Sequence, residues 1–181
     1  EYKFDGLTMC LTYDNGRFVR ATTRGNGVEG EDVTAQCLTI KSFPLTVKYK
    51  GLFEAQGEAV IRLSVLEEYN KTAKEQLKNA RNAAAGAIRN LDPRITAERK
   101  PEILFYNVNY IDSDILKTQE QHFGFLKENG FKVYPFLRVC KSAEEVKAAI
   151  SEIEVERKNI DVLTDGAVIK LNDCEDRAVG Q

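Results

Sequence analysis

A lysine stands third in the chain, between two carboxylates, in the run Glu1-Tyr2-Lys3-Phe4-Asp5-Gly6. An amine that attacks as the free base can do covalent chemistry, and a phosphorus centre is a suitable electrophile for it. With two carboxylates beside it, such an amine also needs cations facing it, and Lys170 and Arg24 are the candidates. Taken alone, K-x-D-G equally describes a surface lysine on an edge strand, so both readings stand open on those four letters. Glu58, in Gln56-Gly57-Glu58-Ala59, is an acceptor-only group suited to gripping two neighbouring hydroxyls, or else a solvent-facing strand residue. Tyr106, in Phe105-Tyr106-Asn107-Val108, offers a flat ring for stacking or for core packing. Arg81 and Arg89 would lie about 12 Å apart along one helix, a separation comparable to two backbone phosphates. Singly, these two arginines and Arg157 read as solvated surface residues.

Other chemistries are excluded early. His122 is the only histidine and sits in a polar stretch, TQEQHFGFLKENG, where it is expected at the surface; Ser/His/Asp and Cys/His triads then have no centre. The four cysteines, at 10, 37, 140 and 174, form no CxxC pair and have no histidine partners, so neither a zinc site nor a disulfide framework is expected, and a reduced, cytoplasmic compartment fits. No apolar run approaches the roughly 20 residues of a membrane span, and no basic-then-apolar leader is seen.

These groups need a scaffold, and the patterning predicts one. Residues 6–23 read as a β-hairpin turning on Asn15-Gly16, the pair that accepts positive φ at both central positions. A glycine-rich loop, TRGNGVEGED, follows, then a short helix within 31–40 and a strand over 52–61. Ser64-x-x-Glu67 reads as a capping box opening a helix. A second helix over 79–90, NARNAAAGAIRN, has a weak point at Gly86 and is stopped by Asp92-Pro93. A strand over 103–111 and a helix over 118–128, ending before Gly130, come next. Ser142-x-x-Glu145 caps a longer helix whose residues Ala143, Val146, Ala149, Ile150 and Ile153 form a packing stripe. Thr164-Asp165-Gly166 then leads into a strand, AVIKL. Strands and helices interleave without βαβ regularity, so the class is α+β.

At 181 residues with 43% hydrophobic and 30% charged residues, the chain can bury a core as one generous domain. Its 26 basic against 28 acidic residues leave a formal charge of -2. Bulk charge therefore does not bind nucleic acid here, and any such contact must come from a local cluster such as the arginine-bearing helix.

The blocks KFDG, TRGNGVEGEDVTA, QGEAVI, NARNAAAGAIRNLDPRITAERK, FYNV and TDGAVIK, in that order, resemble the adenylation domain of bacterial NAD-dependent DNA ligases over essentially the whole chain. The arginine-alanine block is the most specific part of the resemblance. It implies a nucleotidyltransferase fold, with antiparallel sheets packed against helices and a nucleotide groove between them. It also implies that Lys3 attacks the α-phosphate of NAD, releasing nicotinamide mononucleotide and leaving a lysyl-AMP. Glu1 would contact the adenine edge, Arg24 the ribose, Glu58 the ribose hydroxyls, and Tyr106 would stack on the base. Asp5 and Asp165 would orient Lys3 or hold Mg²⁺ through water, and Lys170 would touch the α-phosphate. Arg81 and Arg89 would meet the nucleotide phosphate and the nicked strand, with Arg157 near the DNA or the active site.

Asn26, where the family usually has aspartate, and Leu163-Thr164, ahead of Asp165, depart from the pattern. The resemblance also leads one to expect further parts: a preceding helical domain gripping the nicotinamide half of NAD, a later motif with a second phosphate-facing lysine, and oligonucleotide-binding, zinc, helix-hairpin-helix and BRCT modules. Residues 1–181 would then be the adenylation core, a monomer that binds adenine nucleotides and is incomplete for NAD turnover. Two alternatives are a catalytically silent nucleotide-binding relative and an RNA-ligase or capping-type enzyme using ATP or GTP.

Overall fold

The structure, a computed structural model, describes residues 1–24 and 30–175. Most of the expected glycine-rich loop, Asn26 included, and the last six residues lie outside the described residues.

Two antiparallel sheets carry the site. The larger has the order β3-β2-β4-β5, from β2 (Leu7–Asp14), β3 (Arg17–Thr23), β4 (Phe53–Val60) and β5 (Glu102–Ile111). The smaller pairs β1 (Tyr2–Phe4) with β6 (Thr164–Ala167). The β2–β3 hairpin turns where expected, with φ of 52° at Asn15 and 77° at Gly16. Alternation on the larger sheet sorts its side chains by face. Met9, Leu11, Tyr13, Phe53, Ala55 and Ala59 go to the main core, while Thr8, Glu54, Gln56 and Glu58 lie on the other face. Tyr13 stacks on Phe53 at 5.0 Å and Phe125 meets Phe53 edge-on at 5.1 Å, arrangements that suit the ring quadrupole.

Helices cover the core face. α3 (Ala80–Arg89) buries Ala80, Ala83, Ala84, Ala87 and Ile88, small side chains that let it lie close on β2 and β4. Asn79 caps it by accepting from the Asn82 N–H. The weak point at Gly86 has a packing reason, because a Cβ there would stand 3.0 Å from the Arg99 guanidinium. Arg99 belongs to α4 (Pro93–Arg99), and Asp92 caps this helix with Pro93 at its first turn. Asp92-Pro93 therefore ends one helix and opens another. α5 (Gln119–Glu128) begins in a full capping box between Thr118 and Gln121, and α6 (Ala143–Glu156) is capped by Ser142.

Several expectations are corrected. The helix within 31–40 is a single turn, α1 (Thr34–Cys37). α2 (Leu63–Thr72) starts before Ser64, which is not its cap; Asp161, remote in sequence, accepts from the Ser64 N–H and hydroxyl and supplies the cap through space. The strand expected at AVIKL lies earlier, at Thr164–Ala167; of the expected stretch only Ala167 lies in it, while Val168 still exchanges backbone hydrogen bonds with Glu1 and the chain beyond turns to the start of α5. The α6 stripe is only partly packed: Ile153 is buried against Tyr2 and Phe136, Val146, Ala149 and Ile150 are half-buried, and Ala143 is exposed. His122 is buried at 8% exposure, not at the surface, because α5 packs on β5 and the imidazole Nδ1 accepts from the Val108 N–H.

Candidate active site

A cleft of about 640 Å³ runs between the two sheets. Glu1, Lys3, Asp5, Arg24, Glu58, Arg81, Tyr106, Asp165 and Lys170 all line it, although they come from both ends and the middle of the chain. Arg89, at the end of α3, and Arg157, at the end of α6, are exposed outside it.

The smaller sheet forms one wall. On β1, Tyr2 and Phe4 turn into an aromatic cluster with Tyr134 and Phe136, so period-two alternation sends Lys3 to the opposite, cleft-facing side. Its Nζ lies 3.6 Å from the carboxylate of Asp165 on β6. The Asp5 N–H donates to the Leu163 carbonyl at 2.9 Å, and its carboxylate pairs with Arg81 at 3.4 Å. Helix α3 thus delivers its first arginine to the lysine's own loop. Gly6 closes that loop because β1 and β2 cross hard against β4; a Cβ there would land on the Ala59 carbonyl oxygen.

The larger sheet forms the other wall. Thr8 and Glu58 are direct cross-strand partners, and the Thr8 hydroxyl donates to the Glu58 carboxylate at 3.1 Å. Burial pushes Glu58 up to about 7, with the nearby Asp5 charge adding to the effect and the Thr8 hydrogen bond opposing it. The Arg24 N–H donates to the Thr8 carbonyl at 3.1 Å, fixing the arginine at the end of β3. Tyr106 sits where the β4–β5 register slips, since Gln56 pairs with Asn107 and Gly57 with Phe105. A bulge of this kind re-aims a side chain, and here the ring turns to the cleft while its hydroxyl accepts from the Gln56 amide at 2.9 Å. Burial pushes the phenol up to about 12, so it stays neutral.

At one end of the cleft the Glu1 carboxylate takes Lys170 at 2.8 Å, and the Lys170 ammonium lies 5.1 Å from the Tyr106 ring centroid. The Glu1 side chain is 8% exposed. The cleft thus has two charged ends, Glu1 with Lys170 beside Tyr106, and Lys3 with Asp165, Asp5 and Arg81. Among the described residues, no group of three acidic, histidine or cysteine side chains is arranged to hold a metal directly.

Sequence reasoning missed three contributors. Thr8 and Gln56 had a signal, because both fall on the same face as Glu58 by strand alternation. Gln119 had none, since the first position of a polar helix reads as surface. It is buried, and its Nε2 donates to the Tyr106 carbonyl at 2.8 Å and to Glu1 at 3.4 Å.

Comparison with known proteins identifies the family. Residues 1–179 match the family described as NAD-dependent DNA ligase adenylation domain. The chain is 57% identical over 98% of its length to a DNA ligase of Finegoldia magna. It is 50% identical over 99% to one of Alkaliphilus metalliredigens and 50% over 98% to one of Alkaliphilus oremlandii. In each case it spans 27% of the relative's length. No helix among the described residues is long and apolar enough to cross a membrane. With a whole-length family match and the lysine, carboxylate and arginine blocks gathered on one cleft, the chain belongs to the NAD-dependent DNA ligase adenylation domain family.

Proposed function

We propose that this domain takes the adenylyl group from NAD onto Lys3, as the first step of nick sealing by a longer ligase. The single observation that carries this reading is the gathering of all the expected nucleotide-binding residues, with the Lys3 amine, on one cleft. The fold fits a nucleotidyltransferase, whose nucleotide lies between antiparallel sheets, and 640 Å³ is ample for an adenine nucleotide.

In the proposed binding mode the base enters beside Tyr106, with its amino edge toward Glu1, and the ribose hydroxyls donate to Glu58 near Arg24. The α-phosphate then lies by Lys3. The Lys3 nitrogen forms the P–N bond as the P–O bond to nicotinamide mononucleotide breaks; the mononucleotide leaves and the amine gives up its proton. Positioning and charge neutralisation carry this step, because the leaving group already holds its charge on phosphate. Asp165 orients the amine before the nucleotide arrives. Asp5 holds Arg81, whose guanidinium is close enough to the lysine's loop to take phosphate charge. Lys170 is nearer the base end than an α-phosphate contact requires, so this role needs its Glu1 pair to open as the nucleotide enters.

The carboxylates facing the cleft are already engaged, Asp165 with Lys3, Asp5 with Arg81 and Glu58 with Thr8. They do not fit a directly held ion, and we propose Mg²⁺ only as a companion of the nucleotide phosphates, met through water. Arg89 and Arg157 are proposed to meet nicked duplex DNA outside the cleft. The working form proposed is a cytoplasmic monomer, with residues 1–181 as the adenylation core of the longer ligase.

The test is intact mass. The protein carrying its expected N-terminal helical domain should gain one adenylyl group on incubation with NAD and none as Lys3→Ala. An adduct from ATP but not NAD would replace this reading with the RNA-ligase or capping type; no adduct from either would leave a silent binding domain.

A further inference from the structure

Gln119 ties together the parts of the cleft's base end. The residue is 4% exposed, at the first position of α5, and its side-chain NH₂ has two hydrogens to give. One goes to the Tyr106 carbonyl at 2.8 Å, at the β5 bulge, where Tyr106 has no cross-strand partner on β4. The other goes to Glu1 Oε2 at 3.4 Å, while Lys170 holds Glu1 Oε1 at 2.8 Å. Its backbone N–H donates to the Asn172 carbonyl at 2.8 Å, two residues past Lys170. The stacking ring, the carboxylate and the segment bearing the lysine are therefore all referenced to one buried residue.

We propose that Gln119 is a positioning residue that sets base specificity by fixing Glu1 and Tyr106 relative to each other. The proposal rests on the reading that Glu1 faces the amino edge of the base. An ionised carboxylate can only accept, so it favours a 6-aminopurine, which donates there, over a 6-oxopurine, which presents an acceptor. That discrimination is sharp only while the carboxylate cannot rotate away. A buried NH₂ at one oxygen and an ammonium at the other hold it, leaving the remaining lone pairs in fixed directions. Without the amide, Glu1 is held from one side, the bulge carbonyl loses its partner, and the ring and carboxylate can shift independently.

The experiment measures adenosine and inosine binding to this chain by calorimetry, as wild type, Gln119→Met and Gln119→Glu. Methionine keeps the length and removes both donors; glutamate keeps the shape and opposes Glu1, and it stands in if methionine fails to fold. Wild type should prefer adenosine over inosine at least tenfold, and both variants should shrink that ratio at least fivefold. Equal weakening of both nucleosides, with the ratio unchanged in a folded variant, would make Gln119 merely structural and overturn the proposal. No adenosine binding by wild type would overturn the base-end reading, and the proposal with it. Wild-type binding without a preference for adenosine would overturn the proposal alone.

Discussion

In the proposed binding mode, the Glu58 carboxylate should make adenosine binding depend on pH near neutrality. Burial holds this group at about 7 against an ordinary 4.5. Ribose hydroxyls donate to the ionised form, so ligand binding requires the proton to leave and strengthens as pH rises. With half-ionisation at about 7, the competent fraction is about one tenth at pH 6 and about nine tenths at pH 8. Affinity for adenosine should therefore fall about tenfold, or about 1.4 kcal/mol, between pH 8 and pH 6. Adenosine is the right probe because it has no phosphate to titrate in this window. Calorimetry at pH 7 in buffers of different ionisation enthalpy should also detect release of about half a proton per site. The same burial affects stability. Between pH 4.5 and 7 the folded domain keeps a proton on Glu58 that the unfolded chain has released, so stability from this group falls as pH rises through that window. The cost amounts to about 3 kcal/mol above it. Glu58→Gln should therefore stabilise the ligand-free domain at pH 8, by up to that amount, while abolishing the pH dependence of adenosine binding. A flat binding profile from pH 6 to 8 in wild type, or a Glu58→Gln variant that melts below wild type at pH 8, would refute the reasoning.

Three further outcomes test other parts of the molecule. Gly6→Ala forces the β1–β2 crossing off the Ala59 carbonyl and should cost about 1–3 kcal/mol in denaturant unfolding; a cost under about 0.5 would mean that the crossing is not tight. Tyr106→Phe loses the hydroxyl's hydrogen bonds with Gln56 and Thr8 and should keep adenosine affinity within a few-fold, whereas Tyr106→Ala should lose at least about tenfold; equal effects would mean that the ring does not stack. Arg89→Ala and Arg157→Ala in the longer ligase should each lower the salt slope of nicked-duplex binding by about one and leave adenosine binding by this domain unchanged; an unchanged slope would remove that arginine from the DNA path.

Local structure written into short contiguous blocks was legible in the sequence, and geometry set by remote partners was not. Asn15-Gly16 and Thr118-x-x-Gln121 specify their own backbone, so the hairpin and the start of α5 lie where patterning predicts. The alanine run in α3 carries its packing reason in its small side chains. Ser64 shows the opposite case: the letters of a capping box are present, but Asp161 from the far end of the chain satisfies the helix start. The polar stretch around His122 likewise gives no hint that the imidazole meets the Val108 N–H across an element boundary. Alternation in AVIKL promises a strand, but past Val168 the chain takes its backbone partners from the start of α5, which lies far off in sequence.

The way the chain after β6 is held bears on the proposed binding mode. Beyond the β6 ladder Val168 exchanges backbone hydrogen bonds with Glu1, at 2.8 and 3.1 Å; the segment then passes Lys170 beside Glu1 and is pinned to the start of α5 through Asn172 and Cys174. Lys170 therefore sits between two backbone anchors, whereas Glu58 is a paired residue of the larger sheet and Tyr106 stands at its bulge. In the proposed binding mode, a nucleotide bridging the two walls meets a ribose-and-base surface on the larger sheet and, on the other side, a lysine that releases Glu1 by turning its side chain alone, with its backbone anchors kept. Both ends of the cleft match each cation to a carboxylate, Lys170 to Glu1, Lys3 to Asp165 and Arg81 to Asp5, so a phosphate entering at either end would compete with a carboxylate for its cation.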